Sequence, residues 1–123
     1  MILGIGTDLV NIARIERAIE RSPRFLNLVF HPREQLEARG RPECLAARFA
    51  AKEAWLKAMG LPLFAVRLTE VFTVSDESGK PALRLEGRAA DISRERGVRT
   101  MHLSLAHEGT VAIAFVVLEG EQP

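Results

Sequence analysis

The chain has 123 residues, 47% of them apolar and 27% charged, with a formal net charge of +1. That balance fits one soluble globular domain and excludes a disordered chain. It gives no global attraction to nucleic acid or to a membrane surface. A chain this short buries roughly two-thirds of its unfolded surface, so it can stand alone but would gain from oligomerisation.

Residues 2–10 alternate loosely between apolar side chains and glycine, which predicts a strand. Ile12, Ile15 and Ile19 then fall at helical spacing, with Asn11 as N-cap and Pro23 beyond the helix end. The segment from Pro23 to Gly40 is helical in parts, and Pro32 starts a short helix that ends at Gly40. The strongest helix runs from about Pro42 to Met59 and is stopped by "GLP". Beyond it the pattern changes to strand, turn and strand around "DESGKP", then a short helix closed by Gly97, then two strands around "HEGT". The order is one strand, three helices, two strands, a helix and two strands. This is an α+β class, an antiparallel sheet packed on helices. There is no repeat, linker or low-complexity segment, and residues 1–123 form a single unit. "GEQP" is a fraying tail.

Cys44 is the only cysteine, which excludes an intrachain disulfide and a cysteine metal cluster. A quiet, half-buried thiol is favoured there over a catalytic one. "MILGIGTDLV" lacks a basic leader, and no apolar run approaches the roughly 20 residues of a membrane span. The expected location is the cytoplasm.

Two carboxylates stand where apolar packing is expected. In "RFAAKEAWLKAMG", Leu45, Phe49, Leu56 and Met59 form a helical stripe that Glu53 interrupts. A carboxylate in such a row is costly unless something pairs with it. In the first strand Gly4, Gly6 and Asp8 share one face. The glycines leave room beside Asp8 for a ligand or another backbone. Two oxygen donors without a cysteine cluster suit a hard cation, magnesium first, which keeps waters and completes its shell with substrate phosphates. Arg48, Lys52 and Lys57 lie on the same helix as Glu53 and suit a phosphate ligand. The competing readings are a salt bridge from Glu53 to Lys57 or an arginine, and Asp8 as a helix cap. "GIGTD" is not a phosphate-binding loop, since it lacks the Walker lysine and does not fit G-x-G-x-x-G. His102, Ser104 and His107 form a further polar set. A structural serine is favoured there over a nucleophile. Arg14, Arg17, Arg21 and Arg24 make a local basic face, read from charge alone as a solvated helix surface.

Taken together, "GIGTDLVNIARI", "RFAAKEAWLKAMG", "GKP" and "HLSLAHE", in this order and at this length, resemble the holo-acyl-carrier-protein synthases. These are the small bacterial 4'-phosphopantetheinyl transferases, and the resemblance covers almost the whole chain. It implies the fold of that family and transfer of the 4'-phosphopantetheine arm of coenzyme A to a serine of apo acyl carrier protein. The other product is 3',5'-ADP, and the reaction depends on magnesium. Asp8 and Glu53 match the metal-ligating carboxylates. Lys57 matches the lysine that contacts the pyrophosphate or protonates the leaving group. Arg48 matches the residue that binds the 3'-phosphate, and Lys52 stands beside the metal ligand. Gly79, Lys80 and Pro81 match the hairpin that borders the adenine, with Gly60 and His107 also on the coenzyme side. Arg14, Arg21, Arg24 and Phe25 match the surface that grips the acidic helix of the carrier protein, which reverses the charge-only reading of that face. Glu34 matches a glutamate that orients a catalytic water. The resemblance leaves the general base open, a water being preferred to His107. It also implies a homotrimer with active sites shared between neighbours.

The sequence departs from the family pattern in three places. "GLPLF" replaces Gly-Thr-Gly after the long helix, His31 replaces a threonine, and Ala106 replaces a serine or threonine. None removes a metal ligand. Two other readings compete with the transferase. One is a non-catalytic module that holds a carrier protein through the Arg14–Arg24 face. The other is a metal-dependent phosphohydrolase acting on nucleotides.

Overall fold

A computed structural model describes all 123 residues. The order is β1 (Ile2–Asn11), α1 (Ile12–Arg21), α2 (Pro23–Val29), α3 (Pro32–Ala38), α4 (Pro42–Met59), a 3-10 turn (Leu68–Glu70), β2 (Val71–Ser75), β3 (Pro81–Leu85), α5 (Gly87–Glu95), β4 (Val98–Glu108) and β5 (Val111–Gly120). The α+β class with antiparallel pairing is as expected. Two details differ. Pro23 does not merely follow α1; it opens a helix of its own, because a proline serves the first turn of a helix as well as it ends another. The strands form two sheets, β1-β5-β4 and β2-β3, not one.

Helix α4 is the axis of the molecule. From Leu45 to Met59 every residue is buried except Glu53 and Lys57. The expected single apolar stripe is therefore only part of its covering, since alanines bury the other faces as well. Pro42 opens α4 and Gly60 closes it in the left-handed region at φ 68°.

The sheet meets α4 through backbone contact. A Cβ on Gly4 would lie 1.9 Å from the Ala58 carbonyl oxygen, and one on Gly6 would lie 1.9 Å from that of Ala54. Only glycine permits this approach. The room predicted beside Asp8 is thus filled further up the strand by a backbone. The inner sheet face carries Val10, Ala112, Ala114, Val116 and Leu118, all buried in one core with α4. The outer face is different. Ile5, Leu9, Ile113 and Phe115 are exposed there, aligned by the pairings Thr7–Phe115 and Leu9–Ile113.

Gly6→Ala is expected to push α4 off β1 and destabilise the protein by at least about 2 kcal/mol. Urea denaturation followed by circular dichroism measures this, and an unchanged midpoint would contradict the backbone contact.

Candidate active site

Asp8 sits on the same face of β1 as Gly4 and Gly6, and pairs across the sheet with Ala114. The glycine contacts bring the C-terminal half of α4 alongside, with Glu53 and Lys57 one turn apart on its open strip. Lys57 Nζ donates to Asp8 Oδ1 at 3.0 Å and to the Thr7 carbonyl oxygen at 3.1 Å. The Asp8 side chain is 11% exposed and that of Lys57 56% exposed, so the lysine reaches in from solvent.

No ion pair in the molecule includes Glu53. Lys57 is spent on Asp8, and the cap of α1 is Asn11, whose side chain accepts from the Arg14 N–H at 3.3 Å. Neither structural alternative, a Glu53 salt bridge or an Asp8 cap, is what the fold contains. Burial pushes the Glu53 carboxyl above its ordinary value, and the Asp8 carboxylate pushes it further, against Lys57 and Arg14. A half-buried carboxylate that repels its neighbour and lacks a partner is a group suited to a cation. No cluster of three or more His, Cys, Asp or Glu side chains is close enough to hold a metal by itself. The two carboxylates fit magnesium, which takes one or two protein carboxylates and fills its shell with water and phosphate oxygens.

The other predicted residues divide into groups. Lys52 and Glu34 are corrections to the expected layout. Both are fully buried, with Lys52 Nζ 2.5 Å from Glu34 Oε1, on a face of α4 turned away from the Glu53 strip. Burial pulls the Lys52 ammonium below its usual range, which Glu34 opposes. Neither side chain is open to a ligand or to a solvent water. Arg48 is 8% exposed and donates to Glu37 Oε1 at 3.0 Å, while its Nε has no partner. It lines an open groove of about 600 Å³ with Arg39, Arg41, Cys44 and Ser75. Arg39 and Arg41 were missed from the sequence; the basic run "ARGRPE" just before Pro42 was the available signal.

Gly79 and Lys80 lie in the exposed β2–β3 turn, where Asp76 Oδ1 accepts from the Lys80 N–H at 2.9 Å, and Pro81 opens β3. The turn end of that hairpin meets the arginine groove, since Ser75 N–H donates to Glu37. It does not meet the Asp8–Glu53 cluster in the same chain. Gly60 caps α4 one turn beyond Lys57. His107 is exposed at the end of β4, in the row Val10–Ala112–His107, two strands from β1. Ser104 pairs across the sheet with Phe115 on the outer face, and the His102 ring contacts the Glu119 carboxylate, so these three form no nucleophilic set. Arg14, Arg21 and Arg24 are exposed, and Arg14 acts electrostatically on Glu53. Phe25 is half-buried, its ring 6.2 Å from that of Phe30 and 6.4 Å from that of Phe49.

The model of the 4'-phosphopantetheinyl transferase superfamily matches residues 4–116. The chain belongs to that superfamily. It is 48% identical over 124 residues to the holo-[acyl-carrier-protein] synthase of Trichlorobacter lovleyi, covering 97% of this chain and 98% of the relative. The crystal structure of holo-[acyl-carrier-protein] synthase from Neisseria meningitidis superposes with a TM-score of 0.88 at 37% identity, over 97% of this chain and 99% of that one. An ACPS–CoA complex from Chronobacterium ammoniagenes superposes at 0.87 with 31% identity, covering 97% and 98% of the two chains. This phosphopantetheinyl transferase is therefore an enzyme of the holo-[acyl-carrier-protein] synthase kind, with the α+β architecture of those structures.

The Glu53 environment makes a pH prediction for the metal-free transferase. Its carboxyl titrates higher in the folded than in the unfolded chain, so the folded state holds more protons between the two values. Stability then falls as pH rises through that window. Glu53→Gln is expected to raise the thermal midpoint in EDTA at neutral pH, and the gain should vanish below about pH 4, where the unfolded carboxyl is also protonated. Thermal melts across pH measure it; a loss of stability at neutral pH would contradict the assignment.

Proposed function

We propose that this transferase moves the 4'-phosphopantetheine arm of coenzyme A to a serine of apo acyl carrier protein, releasing 3',5'-ADP. The observation that carries the reading is Glu53, held half-buried beside Asp8 with no partner of its own. The chemistry needs such a pair because attack at a pyrophosphate phosphorus depends on positioning and charge neutralisation. Magnesium between Asp8 and Glu53 would supply Lewis-acid polarisation of the pyrophosphate. Lys57, already directed into the cluster, would hold a pyrophosphate oxygen and offset charge on the leaving group. Arg48, Arg39 and Arg41 suit the remote 3'-phosphate, and the unpaired Arg48 Nε is a donor in wait of an acceptor.

The same geometry supports sites shared between copies. Arg48 and Glu53 are five residues apart on α4 and so point about 140° from each other. One nucleotide is better placed if one copy gives the carboxylates and its neighbour the arginine groove. The exposed outer sheet face, with Ile5, Leu9, Ile113 and Phe115, suits an interface between copies, which in the homotrimer that the family resemblance implies would run through it. The Arg14, Arg21 and Arg24 surface, whose Arg14 acts electrostatically on Glu53, suits the acidic helix of a carrier protein, with the serine delivered to the metal side. No helix is long and apolar enough to cross a membrane, which is compatible with work in the cytoplasm on soluble substrates.

Intact mass spectrometry of an apo acyl carrier protein with coenzyme A and magnesium tests the reading. The expected result is a gain of one phosphopantetheine, lost in EDTA. Asp8→Asn or Glu53→Gln should lower kcat/KM at least about 100-fold, as loss of a several-kcal/mol charge contact requires. A carrier protein that binds but gains no mass would instead support the non-catalytic binding module.

A further inference from the structure

The KE dipeptide of α4 points its two charges in different directions. Glu53 faces the open strip, while Lys52 is driven into the interior. We propose that the buried Lys52–Glu34 pair is a positioning device: it sets the rotation of α4 about its own axis, and thereby the direction in which Glu53 points. The inference rests on the reading of Asp8 and Glu53 as cation ligands.

The bonding around Lys52 is complete. An ammonium has three N–H groups, and all are used, on Glu34 Oε1, on the Leu68 carbonyl oxygen at 3.0 Å and on the Val71 carbonyl oxygen at 2.6 Å. Glu34 is equally engaged, accepting from the His31 N–H at 3.1 Å and the Thr73 N–H at 3.0 Å. The nitrogen is therefore fixed by α3, by the 3-10 turn and by β2 at once. The other side of α4 is held differently. There Gly4 and Gly6 meet bare helix backbone at Ala58 and Ala54. A glycine and alanine surface sets how close the helix comes, but offers few interlocking side chains to resist its turning.

The geometry makes rotation consequential. Glu53 follows Lys52 by about 100° around the helix. A rotation of about 20° sweeps a carboxylate at roughly 5–6 Å from the axis through about 2 Å. Magnesium demands near-ideal geometry at metal–oxygen distances of about 2.1 Å, so such a sweep would cost a ligand. Stability alone does not explain the pair, because a buried ion pair is often no more stabilising than apolar residues of the same volume. Directional bonds to three segments fix one orientation, which apolar side chains would not.

The test is binding of Mn2+ alone to the metal-free protein, followed by the electron paramagnetic resonance of free Mn2+. The variants are Lys52→Met/Glu34→Gln, Glu34→Gln, Asp8→Asn and Leu83→Ala. Glu34→Gln, with its oxygen at the Oε1 position, keeps an acceptor for the His31 N–H and for Lys52 and gives up the one for the Thr73 N–H. Leu83→Ala truncates a buried side chain on β3 and serves as a control for lost stability. All are measured at a temperature where circular dichroism shows each to be folded. The expected result is a dissociation constant raised at least fivefold in the double variant, and raised in Glu34→Gln, with Leu83→Ala within twofold of wild type. A folded double variant that binds as tightly as wild type would overturn the positioning role. If the double variant does not fold, wild-type affinity in Glu34→Gln would overturn it. Wild type indistinguishable from Asp8→Asn would overturn the ligand assignment itself, and this proposal with it.

Discussion

The fold depends on one close approach, that of β1 to the backbone of α4. Gly4 and Gly6 have no Cβ, and any Cβ there would lie well inside the carbonyl oxygens of Ala58 and Ala54. Everything that makes a site follows from this contact. Asp8 is the next residue on the same face of the strand, so the strand that lies flat on the helix also carries a carboxylate to its side. Glu53 and Lys57 are the only residues in the buried length of α4 that escape burial, and Lys57 closes onto Asp8. The result is an unpaired carboxylate beside a paired one.

The charges on α4 are sorted by angle. Lys52 and Arg48 face α3 and β2, where Glu34 and Glu37 receive them. Glu53 and Lys57 face β1. A single helix thus carries the buried pair and the arginine groove on one side and the carboxylate strip on another. That division suits a large, multiply charged substrate, because phosphates at its two ends need separate receptors.

Much of the fold was legible in the sequence because the punctuation was strong. Pro42 and Gly60 bound α4 as predicted, Asn11 caps α1, and alternation placed Asp8 on the glycine face. The same punctuation misled at Pro23, which ends one helix and begins another. The β2–β3 hairpin was read into a common sheet because a strand pattern does not say which neighbour a strand pairs with. At the site, Asp8, Glu53 and Lys57 were legible as types at a spacing. Lys52 was not, since in a helix buried on all sides nothing in the pattern says which of two adjacent charges points inward. Glu34 was named for a different role, and its pairing was hidden because its capping bond to the His31 N–H is local but its partner Lys52 is distant in sequence. Arg39 and Arg41 were missed because their groove forms only when α3 packs on α4.

The measurement that tests the account most directly is a crystal structure of the protein soaked with Mn2+ and coenzyme A, read by anomalous scattering. The account predicts one peak within bonding distance of both the Asp8 and Glu53 carboxylates, with pyrophosphate oxygens completing the shell. A bound coenzyme A with its pyrophosphate away from these residues, or a peak elsewhere in the molecule, would contradict it.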